Sequence, residues 1–98
     1  MAMKKFDEIK RTIEEHKGEL EERFKVKNLA VFGSYVRDQQ SEISDVDMLV
    51  EFKEPVGLLF IHLADFLEEI LGVKVDLLTP DGIKPNRRRY IMEDLVYV

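Results

Sequence analysis

Ninety-eight residues make one domain with a thin core, because a chain of this size buries only roughly 60–70% of its unfolded surface, and they leave no room for a second substrate-binding domain. The absence of cysteine excludes disulfides, thiolate metal sites and a cysteine nucleophile, and the two histidines, His16 and His62, lack zinc-ligand spacing. A net charge of −5 argues against a basic face for sequence-independent nucleic-acid binding and suits a protein that gathers divalent cations.

Charged residues make up 36% of the chain with both signs interspersed, and apolar residues 45%, so a folded, highly charged surface is expected. The longest near-continuous apolar run, Val56 to Ala64, is far short of the ~20 residues that cross a bilayer. The Met1-Ala2-Met3-Lys4-Lys5 start leads directly into an amphipathic segment instead of a signal-peptide core. The expectation is a single cytoplasmic domain spanning 1–98.

Phe6, Ile9, Ile13, Leu20 and Phe24 recur at helical spacing, which predicts a helix over 4–24 that Gly18 weakens without ending. A strand follows over 26–32 and stops at Gly33. Ser34 is expected to cap a short helix through Gln39, since its hydroxyl can accept from an N–H of the first turn. Residues 40–44 read as a polar loop. The second strand, 45–52, alternates: Val46, Met48, Val50 and Phe52 face one way, and Asp45, Asp47, Leu49 and Glu51 the other. After Pro55 and Gly57 comes a helix from Leu58 to about Leu71, with Gly72 as its C-cap. The first turn of that helix, Leu58 to Ile61, is apolar all round; deep embedding of the helix end accounts for it better than a partner surface. A third strand over 73–78 closes at Thr79-Pro80-Asp81-Gly82, and a last helix runs from Asn86 to Leu95. This order predicts an α/β fold, a mixed three- to four-stranded sheet with packed helices, in which a helical crossover makes the second and third strands parallel.

Two features carry chemistry. Gly33-Ser34 lies at a strand-to-helix turn, where glycine lets the backbone approach a ligand and free N–H groups attract phosphate oxygens; taken by itself, the pair is better explained by plain capping. Asp45-x-Asp47 puts two carboxylates on one side of a strand with Cα atoms roughly 6.5–7 Å apart. At an effective dielectric near 20 their repulsion is about 3 kcal/mol, which water or a cation must relieve. Asp76 interrupts an apolar strand, where an unpaired buried carboxylate is costly. If that strand lies beside the second, three carboxylates face one site. Mg²⁺ suits such a set, because it takes a few carboxylates and completes its octahedron with water and phosphate.

Gly33-Ser34, ten intervening residues, then Asp45-Val46-Asp47 resembles the signature of the DNA polymerase β-like nucleotidyltransferase superfamily; the four residues occur by chance in about one chain in a thousand of this length. Phe32-Gly33-Ser34-Tyr35-Val36-Arg37, Ser44 through Val50, and Val75-Asp76-Leu77-Leu78 are similar to its minimal nucleotidyltransferase (MNT) branch. The resemblance implies a polymerase β-like fold and an enzyme that transfers a nucleotide. It makes Asp45, Asp47 and Asp76 the catalytic carboxylates and metal ligands, with two Mg²⁺ ions or Mn²⁺ in their place, and assigns Gly33, Ser34 and Arg37 to the nucleotide. Many members of the branch resemble antitoxins that pair with a HEPN-domain toxin and adenylate a tyrosine of it, which implies ATP and a HEPN partner. One departure is Asp38, where the branch usually has glycine. An acidic residue there either slows triphosphate binding or points to solvent. Two other readings stand beside the transferase: a non-catalytic nucleotide- or partner-binding module, and a transferase acting on RNA or a small molecule. The Arg87-Arg88-Arg89 run is a solvated face or a guide for an anion, and Tyr35 either stacks on a base or packs in the core. The chain's oligomeric state is open.

Overall fold

Burial of an i, i+4 pair on each side of a break shapes the N-terminal region. The computed structural model describes residues 4–41 and 43–98, so Met1–Met3 and Glu42 of the expected polar loop lie outside it. The helix expected over 4–24 is two helices, α1 (Phe6–Glu15) and α2 (Lys17–Phe24). α1 buries Ile9 and Ile13, and α2 buries Leu20 and Phe24. The glutamate side chain of Glu8 reaches back to accept from the Lys5 N–H (3.2 Å), satisfying one donor of the first turn. The break falls at His16, two residues before Gly18. His16 leaves helical geometry (φ −112°, ψ 11°), and its Nδ1 donates to the Thr12 carbonyl at 2.8 Å, ending one helix where the next begins.

Four strands form one sheet in the order β3-β2-β1-β4: β1 (Val26–Phe32), β2 (Val46–Phe52), β3 (Val75–Leu78) and β4 (Val96–Tyr97). β2 and β3 are parallel, as the helical crossover requires, and β1 runs antiparallel to both β2 and β4. The mixed four-stranded sheet is thus the expected one. The crossover helix α3 (Leu59–Leu71) buries Leu63, Leu67 and Leu71, and Gly72 ends it in the left-handed region (φ 69°). α4 (Pro85–Asp94) begins with proline at its first turn, where a missing N–H costs nothing. β4 is a strand of two residues, too short to leave a periodic pattern. One expectation fails here. The first turn of α3 is not deeply embedded, because Leu58 is 75% and Ile61 57% exposed.

Strand alternation divides the core. Val31, Met48 and Leu77 stand in one row across the sheet, and with Leu29, Val46 and Val50 they pack under α1, α2 and α3. The opposite face carries Phe32, Leu49 and Leu78, covered by Ile91 of α4 and by Ile83 and Leu95 on either side of that helix. Tyr35 is buried in the larger cluster, so it belongs to the core and not to a base-stacking surface. Among the described residues no helix is long and apolar enough to cross a membrane.

Candidate active site

The register places Phe32 opposite Asp47, and Asp47 opposite Asp76, in a single row across β1, β2 and β3. Cross-strand partners share a face, so both carboxylates stand on the thinly covered side, the one under α4. Asp45 lies one position before β2, whose start is fixed by the Val46 N–H donating to the Lys74 carbonyl at 2.9 Å. Asp47 is half-buried, whereas Asp45 and Asp76 are exposed. The cost expected of a buried Asp76 is therefore absent: β3 is an edge strand, and water reaches its outer row.

Asp47 responds to the other two carboxylates. Burial pushes Asp47 up from its ordinary 3.8 to about 6, and the negative charges of Asp76 and then Asp45 push the same way; Arg87 and Arg37 oppose them. A half-buried carboxylate that resists ionisation beside two others is a site short of positive charge. Hard oxygen donors of this kind fit a divalent cation of the Mg²⁺ class. Among the described residues, however, no three acidic or histidine side chains converge tightly enough to hold an ion by themselves. The fit is that of an ion whose remaining ligands arrive with a phosphate.

Gly33 is required twice over. Its φ is +82°, a conformation that L side chains rarely adopt, and a Cβ built there would fall on Oδ2 of Asp47. The Asp47 carboxylate thus lies directly against the backbone of the turn after β1. That turn differs from the expected short helix. The Gly33 carbonyl accepts from the Val36 and Arg37 N–H groups (3.1 and 3.2 Å) and the Tyr35 carbonyl from the Asp38 N–H (3.4 Å), but the Gln39 N–H reaches back five residues to the Ser34 carbonyl (2.9 Å), and no helix propagates. Asp38 explains why the chain leaves helical geometry: its φ is +56°, in the left-handed region that glycine prefers and aspartate tolerates. Its side chain is exposed. Of the two outcomes open for this position, the structure gives the solvent-facing one.

Gly33, Arg37 and Asp47 line one hollow of ≈180 Å³, together with Phe32 and, from α4, Arg87, Tyr90, Ile91 and Asp94. Ser34, half-buried, stands at the head of the same turn, and Asp45 and Asp76 flank Asp47 outside the hollow. Larger hollows of ≈410 Å³ beside α1–α2 and ≈520 Å³ at the far end of β2 contain none of the three aspartates. Size is a poor guide here, because the chemistry follows the converging charges. Arg87, Tyr90 and Asp94 were not singled out as site residues; the arginine run marked a charged segment without saying which member faces the sheet. Asp94 had no signal at all.

The whole chain has known relatives. A family profile described as "Nucleotidyltransferase domain" matches residues 13–98. The chain is 46% identical over 99 residues to protein adenylyltransferase MntA of Thermococcus cleftensis, covering all of both chains. Among solved structures, a candidate minimal nucleotidyltransferase superposes with a TM-score of 0.80 at 29% identity over 98% of each chain. The complex of tri-AMPylated Shewanella oneidensis HEPN toxin with MNT antitoxin shares the fold, with a TM-score of 0.62 at 18% identity over 91% of this chain and 70% of that one.

Proposed function

The chain belongs to the nucleotidyltransferase domain family, and we propose that residues 1–98 act as one unit that transfers AMP from ATP to a tyrosine hydroxyl of a HEPN-type partner protein. Divalent metal ions are general to this family; the reading here is Mg²⁺, in a two-ion arrangement held by Asp45, Asp47 and Asp76. What carries the proposal is Asp47, half-buried between the Gly33 backbone and Asp76 and held protonated up to about pH 6 first by burial and then by the charges of Asp76 and Asp45. Such a carboxylate is poorly accommodated until positive charge arrives. The full-length likeness to a protein adenylyltransferase supports a protein acceptor.

Each residue then has a role. The Gly33-Ser34 turn receives the triphosphate: among the described residues neither the Ser34 nor the Tyr35 N–H donates to a main-chain carbonyl, and the Ser34 hydroxyl adds a third donor. Arg37, from the same turn, neutralises phosphate charge. When bound, divalent metal supplies the charge that lets triphosphate and carboxylates coexist and lowers the pKa of the incoming hydroxyl. The acceptor approaches from the exposed Asp76 edge, so that its oxygen lies in line with the bond to be broken. A bond forms from the tyrosine oxygen to the α-phosphorus, the bond from the α-phosphorus to the α–β bridging oxygen breaks, pyrophosphate leaves, and the hydroxyl proton passes to solvent at that edge.

The binding-module alternative drew its support from Asp38, and an exposed Asp38 in a turn that suits it withdraws that support. The test is incubation of the protein with ATP, Mg²⁺ and a HEPN protein encoded beside it. Mass spectrometry should find adenylate on a partner tyrosine, absent with Asp45→Ala. An unmodified partner beside labelled RNA or metabolite would remove the antitoxin reading and leave the transferase.

A further inference from the structure

The hollow between the Gly33 turn and α4 is lined by two guanidinium-bearing residues, Arg37 and Arg87, together with Asp47, whose carboxyl both act on. They differ in what already holds them. Arg37 is ion-paired with Asp94, the last residue of α4, and its Nε donates to Gln39 Oε1 at 3.1 Å. Arg87, two turns earlier on the same helix, has no carboxylate partner among the described residues, whereas Arg89 is paired with Glu93 at 3.5 Å. One cation of the hollow is thus unclaimed, and the other is claimed by a carboxylate that belongs to the helix wall.

We propose that α4 completes the nucleotide site: Arg87 is a phosphate-binding residue, and Asp94 is a displaceable stand-in that holds Arg37 until the triphosphate takes it over. The inference rests on the transferase reading above and adds to it the helix that the sequence motif does not reach. The hollow's ≈180 Å³ is below the ~300–1,000 Å³ of pockets that enclose a whole ligand, and it corresponds to about six waters. That is room for phosphate groups and not for a whole nucleotide. Both guanidinium groups act on the charge of Asp47, so an anion between them lies next to the carboxylate row.

The exchange at Arg37 is favourable for a chemical reason. Its side chain is 47% exposed and that of Asp94 24%, and an ion pair that water still reaches from the arginine side contributes little. A guanidinium facing a phosphate makes bidentate, charge-assisted bonds to a more highly charged partner. α4 need not leave the sheet when Asp94 lets go, because Ile91 remains buried against Phe32 and Leu49. Asp94 is therefore a positioning residue that acts through Arg37, keeping that side chain ordered over the hollow at the cost of competing with the ligand.

The test is calorimetric titration of ATP with Mg²⁺ into the full chain. Arg87→Ala, at an exposed position that threatens no packing, should weaken binding about tenfold or more, the usual effect of losing a hydrogen bond to a charged group, and Arg87→Lys should recover only part. Asp94→Asn should tighten binding about two- to fivefold, the fold-change that matches an exposed ion pair. That gain should vanish in the Arg37→Ala background, which a merely structural role for Asp94 would not produce. Unchanged affinity in Arg87→Ala, or weaker binding in Asp94→Asn, overturns the inference. If the wild-type chain binds no ATP, the transferase reading falls and this inference with it. If adenylate is transferred and both variants bind like wild type, only this inference falls.

Discussion

The two faces of the sheet follow opposite rules, although the same strands build both. Beneath α1, α2 and α3, the residues Val31, Val46, Met48 and Val50 are completely buried, with no charged group among them. Beneath α4 the cover is thin: Ile91 shields Phe32 and Leu49, and the rest of the row is left to Asp47 and Asp76. Successive residues of β2 alternate between these environments, so stability and chemistry are separated by a single step along the chain. The closed face supplies cohesion, and the open one tolerates like charges that a dry core would not. What a substitution does to this protein should therefore depend first on which face it touches.

The largest expected effect is on the open face. Asp47→Asn should reduce transfer at least about a thousandfold, since metal-assisted stabilisation of the transition state is worth several kcal/mol. The same change should stabilise the protein in chelator. Folded Asp47 titrates near 6 against an ordinary 3.8, so the folded state holds its proton more tightly than the unfolded one. The resulting stability is fully present below about pH 4 and lost as pH rises through 6. The shift corresponds to at most about 3 kcal/mol, and water at the open end of the row reduces it to roughly 1–2 kcal/mol. Asparagine cannot ionise and avoids that loss. Thermal melts should show a mutant advantage at pH 7.5 that shrinks towards pH 4.5. A mutant less stable than wild type at both values would make Asp47 a structural residue.

The closed face should behave conversely. Leu67→Ala opens a cavity in the fully buried row of α3 and should cost about 2–5 kcal/mol. Transfer per folded molecule, measured well below the melting temperature, should be unchanged. A large loss of activity in folded Leu67→Ala protein would mean that the faces are coupled.

This division was half legible in the sequence. The alternation Val46, Met48, Val50 against Asp45 and Asp47 gives the parity of β2 directly, and the helical crossover gives the parallel neighbour that brings in Asp76. The other half depends on tertiary contacts that no local pattern encodes. Only Ile91 of α4 is buried, so its sequence gives little indication of which side faces the sheet, and Arg87 and Asp94 cannot be assigned to the hollow from spacing. Leu49 sits on the polar parity of β2 and is nonetheless buried, because α4 covers it. The break at His16 and the turn at 34–38 escaped for a related reason: each is decided by one residue's backbone angles rather than by a run of side chains.

Gly33→Ala tests the seam between the motif and the open face. A side chain at φ +82° costs about 1–2 kcal/mol, and the added Cβ must also displace the Asp47 carboxylate. The expected loss is about 2–3 kcal/mol, with transfer falling in parallel because Asp47 is moved. In an Asp47→Ala background the steric part should disappear, leaving the backbone cost alone. Equal losses in both backgrounds would show that contact with Asp47 is not what requires glycine.

The smallest effect is expected at Asp38. The left-handed angle there (φ 56°) favours glycine in the folded state, but glycine also gains freedom in the unfolded chain. The two contributions oppose each other, so Asp38→Gly should change stability by no more than about 0.5 kcal/mol. Its carboxylate is exposed, and screening at physiological salt acts over about 8 Å, so removing it should alter the KM for ATP by less than about twofold. Melting and steady-state transfer measured on one preparation decide the matter. A severalfold gain in transfer would show that the Asp38 charge repels the triphosphate despite its exposure. Unchanged kinetics would leave Asp38 as a turn residue that takes the place of glycine for reasons of backbone geometry alone.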